Sequence, residues 1–310
     1  MSAEHAGVER VIARVKSVYG RWRRDTTPAQ MRSDWDDLFS ARGDAAVSDV
    51  VANGVPCRWH TASGARPDRV VLYFHGGGFQ VGSLDSHREI MSLVSGYSGA
   101  RVLGVGYRLA PEHRYPAAHE DAMAVFEWLR AQGIDARHIA LAGDSAGGGL
   151  ALSLALALEE RGRALPAACY AMSAWTDLTA SGESYETRAS MDPIHQKPMI
   201  VAMARNYLGP AREASDPRVS PLMAAPARLS KLPPLLLQVG ERETVVSDSE
   251  AFARKVREAG GKAEVQVWPG MIHVFQQFPS ELREAHDALA QGATFLAARL
   301  GMQPPTESSQ

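Results

Sequence analysis

The sequence predicts an α/β fold built on a mostly parallel sheet, and two observations predict it. Short runs rich in aliphatic and β-branched residues alternate with amphipathic stretches from about residue 46 almost to the end of the 310-residue chain, which is the rhythm of strand, helix and strand. Several of the runs are apolar without alternation, as strands covered on both faces must be.

In chain order the strand candidates are "AVSDVVA", "VPCRWHT", "RVVLYFH", "ARVLGVGY", "HIALAGD", "AACYAMS", "PPLLLQV" and "AEVQVWP". Helices are expected over residues 87–98, 117–132, 145–161, 247–259 and 281–300, the last two from apolar residues at helical spacing. Two segments stand outside this rhythm. Residues 8–24 place Val8, Val11, Ile12, Val15, Val18, Tyr19 and Trp22 on one helical stripe, and residues 180–225 form a long Met-containing insertion. Both are expected to form a lid. The first stripe also carries Arg10, Arg14, Lys16 and Arg21, but Asp25, Asp34, Asp36 and Asp37 follow, so packing over the domain is expected rather than membrane binding.

Bulk properties exclude several classes of function. A chain with 45% apolar residues can bury a large core, and a formal charge of -2 with interspersed signs gives no nucleic-acid surface. Cys57 and Cys169 alone make neither a disulfide framework nor a metal cluster, which favours a reducing compartment. The first residues lack a signal-peptide core, and no run approaches the ~20 apolar residues of a membrane span. The expectation is a cytoplasmic protein.

The stretch "GDSAGGGLAL" at 143–152 follows a buried strand and opens an apolar helix with three consecutive glycines, Gly147, Gly148 and Gly149. Each glycine costs roughly 1 kcal/mol against alanine inside a helix, so a close approach of another backbone is expected there. Gly143-Asp144-Ser145-Ala146-Gly147 fits G-x-S-x-G, the turn that presents a serine hydroxyl above the end of a sheet. A second glycine run, "HGGGF" at 75–79, also ends a buried strand. Its N–H groups, with that of Ala146, would form a hole for a developing oxyanion. A phosphate loop would want a Lys or Ser/Thr after the glycines, where Phe79 and Gln80 stand. His75 precedes the loop and is expected to order it by hydrogen bonding.

The segments "HGGGF", "YRLAPEHRYPAAHEDA", "GDSAGG", "DPRVSP" and "GMIHVF", in this order, resemble the hormone-sensitive-lipase-like branch of the α/β-hydrolases, the bacterial family IV esterases with a GDSAG elbow. The resemblance runs from about residue 45 to about residue 300. It implies an α/β-hydrolase fold with an eight-stranded, mostly parallel sheet and a helical cap. Residues 1–45 and 180–225 would form the cap, 46–179 and 226–301 the two parts of the core, and 302–310 a disordered tail. By position, the oxyanion donors would be Gly77, Gly78 and Ala146. The implied activity is hydrolysis of short-acyl esters without cofactor.

Ten histidines compete for the general base, and chain order in this fold is serine, acid, histidine. His273 follows the last strand in a glycine-containing loop, whereas His286 lies within a helix; loops at the carboxyl ends of strands form the site in open α/β sheets. For the acid, the position that holds aspartate in most relatives holds Glu243. Asp248 competes, but Ser247 and Glu250 have capping-box spacing, so Asp248 reads as a first-turn acid. Glu241 is the third candidate. Ser145, Glu243 and His273 are therefore the expected triad, with Phe79, Trp175, Met191, Met199 and Met203 around a capped pocket.

The same machinery would serve lactones or amides, and the pocket walls decide among them. Non-catalytic receptors that resemble this family lack the histidine, which is present here. The expected partner is a small ester, with neither nucleic acid nor membrane insertion. A homodimer through the edge at "AEVQVWP" is a further implication of the resemblance.

Overall fold

Eight strands form one sheet in the computed structural model, which describes residues 3–23, 25–39 and 43–302. They are β1 (Ala46–Ala52), β2 (Val55–Thr61), β3 (Arg66–Phe74), β4 (Ala100–Val105), β5 (Ile139–Asp144), β6 (Cys169–Met172), β7 (Leu235–Gly240) and β8 (Ala263–Trp268). Their spatial order is β1-β2-β4-β3-β5-β6-β7-β8. β2 runs antiparallel to β1 and β4, and every other pair is parallel. Each predicted run overlaps one of these strands, β3 starting three residues earlier at Arg66 and β7 ending one later at Gly240, so the mostly parallel, eight-stranded sheet is as expected. Asn53 and Gly54, at φ 48° and 88°, make the two-residue turn that a tight β1–β2 hairpin requires.

The helices are α1 (Ala3–Tyr19), α2 (Pro28–Leu38), α3 (Arg88–Ser98), α4 (Ala117–Ala131), α5 (Ser145–Glu160), α6 (Ser184–Thr187), α7 (Lys197–Leu208), α8 (Pro226–Leu229), α9 (Val246–Glu258) and α10 (Arg283–Arg299). Side-chain alternation along the strands sorts them into layers. Val70, Leu72 and Phe74 of β3 point to a core shared with α4, α5 and α9. Val71 and Tyr73 point to the other face, where Ile90 and Val94 of α3 meet Leu289 and Leu296 of α10. A strand that must satisfy both layers has little room for polar residues, which explains the apolar runs; Gln238 of β7 is buried there with bonds to Tyr170 OH and Ala288 O. Helix α5 is buried from Ala146 to Leu156, as a helix apolar on all sides should be.

A third apolar cluster brings Val8, Val11 and Val15 of α1 and Trp35 of α2 against Ile272, Phe275 and Phe278, which follow β8. The first helical stripe thus packs over the chain, but α1 ends at Tyr19 rather than near residue 24. Gly20 terminates it, its N–H bonding Lys16 O, and Trp22 lies in the turn beyond. Neither α2 nor α7 was expected as a separate helix. Thr27 caps α2 by accepting from Gln30 N at 3.2 Å, with Pro28 in its first turn, and Pro198 likewise opens α7. Helix α9 starts without the expected capping box: Val245 occupies the N-cap position, and the Ser247 hydroxyl bonds that of Ser184 instead. Of the expected tail, residues 303–310 lie outside the described residues.

Candidate active site

Ser145 stands where β5 ends and α5 begins, at φ +50°. A non-glycine residue there is strained, and the surrounding structure must hold it in place. It does so through contacts too close for side chains. A Cβ on Gly147 would lie 2.1 Å from Phe74 O, and one on Gly149 would lie 2.2 Å from Trp175 O. The first turns of α5 therefore press against the end of β3 and the loop after β6, which accounts for the glycines in "SAGGG".

The Ser145 hydroxyl lies 2.9 Å from His273 Nε2, and His273 Nδ1 lies 2.7 Å from Glu243 Oε2. The loops carrying these groups are cross-braced. Ser173 Oγ donates to Glu243 Oε1 at 2.7 Å and accepts from Val274 N at 3.0 Å, so one hydroxyl ties the carboxylate to the residue after the histidine. Gly240 N also donates to Glu243 Oε1, and Glu241 accepts from Gly270 N at 2.9 Å. Burial opposes charge on His273, but the Glu243 carboxylate and its hydrogen bond outweigh this and hold the imidazole above its ordinary value.

The other candidates stand apart. Asp248 is buried in the first turn of α9 and accepts from Thr176 N and Asp177 N, each at 2.9 Å. Burial, reinforced by the charge of Asp177, pushes its carboxyl up to about 8. His286 Nδ1 lies 2.6 Å from Tyr97 OH.

Gly77 and Gly78 sit at φ +111° and +61°, and a Cβ on Gly77 would lie 2.2 Å from Val81 O. Their N–H groups have no acceptor among the described residues, and both glycines line the pocket that contains Ser145. Ala146 lies in the first turn of α5, where N–H groups lack helical acceptors. Asp144 links the two loops: it accepts from Gly76 N at 3.0 Å and from Tyr73 OH at 2.7 Å, while His87 Nε2 lies 3.3 Å from its other oxygen. Burial opposes its ionisation, but the charge of His87 and these bonds hold the carboxyl below its usual range. His75 stacks on Tyr107 at 4.3 Å and bonds Gly76 O at 2.8 Å, away from the serine, and burial pushes its imidazole down to about 3.

Of the residues expected around the pocket, Trp175 and Met203 line it, and Phe79, Met191 and Met199 do not. Phe79, at φ +61°, turns away and stacks on Tyr207 at 3.8 Å. Met199 lies one residue before Ile200 on α7, about 100° round the helix, and it is Ile200 and Met203 that face inward. Met191 lies in the turn after α6, its sulfur against Arg188 and its carbonyl bonded to Arg242. Sequence reasoning did not place Tyr19, Trp35, Phe39, Ile194 and His195 in the wall, to which all five belong. His195 packs edge-on against His273 with centroids 4.3 Å apart, and burial pushes its imidazole down to about 3. The available signal was the first helical stripe, which contains Tyr19.

The strand order and the turn at Ser145 are those of an α/β-hydrolase fold, and a family profile described by that fold matches residues 71–277. The chain is similar to an acetyl-hydrolase of Streptomyces hygroscopicus, with 37% identity over 87% of this chain and 90% of that protein. It is similar to an ethyl acetate hydrolase of Pseudomonas putida, with 35% identity over 71% of this chain and 70% of that one. A crystal structure of an esterase from the bacterial hormone-sensitive lipase family superposes with a TM-score of 0.91 at 40% identity, covering 96% of this chain and 99% of the other. The chain belongs to the α/β-hydrolase family, in its hormone-sensitive-lipase-like branch.

Proposed function

We propose that this protein is a serine carboxylesterase that hydrolyses short-acyl esters through an acyl-enzyme intermediate. The observation that carries the reading is the contact line from Ser145 Oγ through His273 to Glu243, at 2.9 Å and 2.7 Å, beside two glycine N–H groups without acceptors among the described residues. His273 takes the Ser145 proton as the oxygen attacks the ester carbonyl, and Glu243 holds the Nδ1–H tautomer and stabilises the imidazolium. The N–H groups of Gly77, Gly78 and Ala146 bind the oxyanion. Collapse expels the alcohol, which takes its proton from His273. Water attacks the acyl-enzyme with the same histidine as base, the carboxylic acid leaves, and Ser145 regains its proton.

The preference for small acyl groups is supported by the bulk around the serine, where Trp35, Phe39, Trp175, Met203 and Phe278 face one pocket. In this reading residues 1–45 and 180–225 act as a cap, since α1, α2 and α7 supply much of that wall. No helix among the described residues is long and apolar enough to cross a membrane. The reading places the enzyme in the cytoplasm, supported by two buried free thiols, Cys57 and Cys169. Initial rates on p-nitrophenyl acetate and butyrate test the proposal: Ser145→Ala should remove at least about 10³-fold of the activity without altering the fold. Retention of wild-type rates by that variant would overturn it.

A further inference from the structure

The pocket holding Ser145 is bounded on one side by Phe39, Gln277 and Phe278, and the same three residues bound a second cavity of about 280 Å³. The two phenyl rings close the partition, with centroids 5.4 Å apart and planes tilted by 46°. Both are buried, and each is held from its own side. Phe39 packs against Trp35 at 5.2 Å, while the Arg14 guanidinium sits 5.5 Å from the Phe278 ring centroid and pairs with Glu281 at 2.5 Å. Gln277 is engaged with His87, its Nε2 3.1 Å from the imidazole Nε2. Beyond the partition, Leu38 and Ile90 give the second cavity an apolar strip, flanked by Arg14, Ser86, Glu89, Ser280 and Glu281. Two rings thus separate the Ser145 pocket from a space in which a hydrocarbon chain would lie along Leu38 and Ile90 while the charged groups keep to its rim.

We propose that Phe39 and Phe278 set the chain-length limit of the substrate, by stopping an alkyl chain of the ester from running out of the Ser145 pocket into the second cavity. The inference rests on the ester-hydrolase reading of that pocket. A chain that meets the rings must fold back or withdraw, whereas one that passes them gains apolar burial worth about fourfold per methylene. The limit should therefore be a property of these two residues rather than of the groups that perform the chemistry.

The test is the ratio of kcat/KM for long against short substrates, measured on p-nitrophenyl butyrate to decanoate and on ethyl to octyl acetate. In Phe278→Ala and Phe39→Ala the ratio should rise at least about tenfold in one of the two series, the gain of two or more buried methylenes. Adding Leu38→Trp, which fills the second cavity, should cancel that rise. Where an alanine variant fails to fold by near-ultraviolet circular dichroism, Phe278→Leu carries the test with a smaller rise. Folded, active variants with unchanged ratios in both series overturn the inference alone. A wild-type protein that hydrolyses none of these esters removes the proposed function, and this inference with it.

Discussion

Glu243 has no exposed surface and divides its two oxygens between two tasks: Oε1 accepts from Ser173 and Gly240, and Oε2 faces His273. Replacing it with glutamine removes the charge and sets an amide against the Nδ1–H that the carboxylate orients. Glu243→Gln should lower kcat at least about a hundredfold with little change in KM, given that the corresponding loss in a serine protease is about 10⁴. Its pH profile carries a second signature. Catalysis needs neutral His273, whose pKa the carboxylate raises, so the acid limb of kcat/KM should lie above the ordinary ~6.5 of histidine in the wild type and move down in the variant. An unmoved limb would separate Glu243 from the histidine's titration. Glu243→Asp keeps the charge but withdraws it by one methylene and should be intermediate. The three residues that the structure brings into one contact line could be picked out in the sequence because each follows closely on a strand end, with the family resemblance supplying the position of Glu243 and the chain order of His273. Ser173 and Asp144 were not readable as braces, because their partners are remote in sequence: the separation is 70 for Ser173–Glu243, 101 for Ser173–Val274, 68 for Asp144–Gly76 and 57 for Asp144–His87.

Among the elements, α9 shows what a local reading can and cannot reach. Periodicity located the helix and put Asp248 in its first turn, but it did not reveal that the carboxyl is buried against Thr176 and Asp177 N–H groups. That placement gives stability a particular pH dependence. The folded-state pKa is raised to about 8, against about 3.9 for an ordinary aspartate. Between those values the folded protein keeps a proton that the unfolded chain has released, so the contribution is complete below about pH 4 and is lost as pH rises through about 8. Asp248→Asn should therefore show a smaller fall in Tm from pH 5 to pH 8.5 than the wild type, by thermal unfolding at matched ionic strength. Equal falls would contradict the placement. The pocket wall illustrates the same limit, since helical spacing marked Tyr19 as facing inward but not what it faces. The α2 signal was present in "TPAQ", a threonine cap with proline in the first turn and glutamine three residues on.

At the scale of the whole molecule, the parallel sheet was readable because both of its faces are covered, and runs such as "RVVLYF" carry that fact in their composition. Its edges were less so. Among the described residues β8 pairs only with β7, and Val267 is 38% exposed upon it. An unprotected strand edge favours pairing with a second copy, so sedimentation equilibrium should return twice the 33.5 kDa of one chain. Val267→Lys should shift the equilibrium toward monomer, and a wild-type mass of one chain would contradict the expectation. The central claim is that Ser145, brought up between the oxyanion loop and His273 by the packing of α5 against the sheet, becomes acylated during turnover. Acid-quenching the protein with p-nitrophenyl butyrate within the first turnover, followed by peptide mass spectrometry, tests it most directly. A butyryl group on Ser145, absent in Ser145→Ala, is the predicted result; a butyryl group on any other residue of an actively hydrolysing protein would contradict the account.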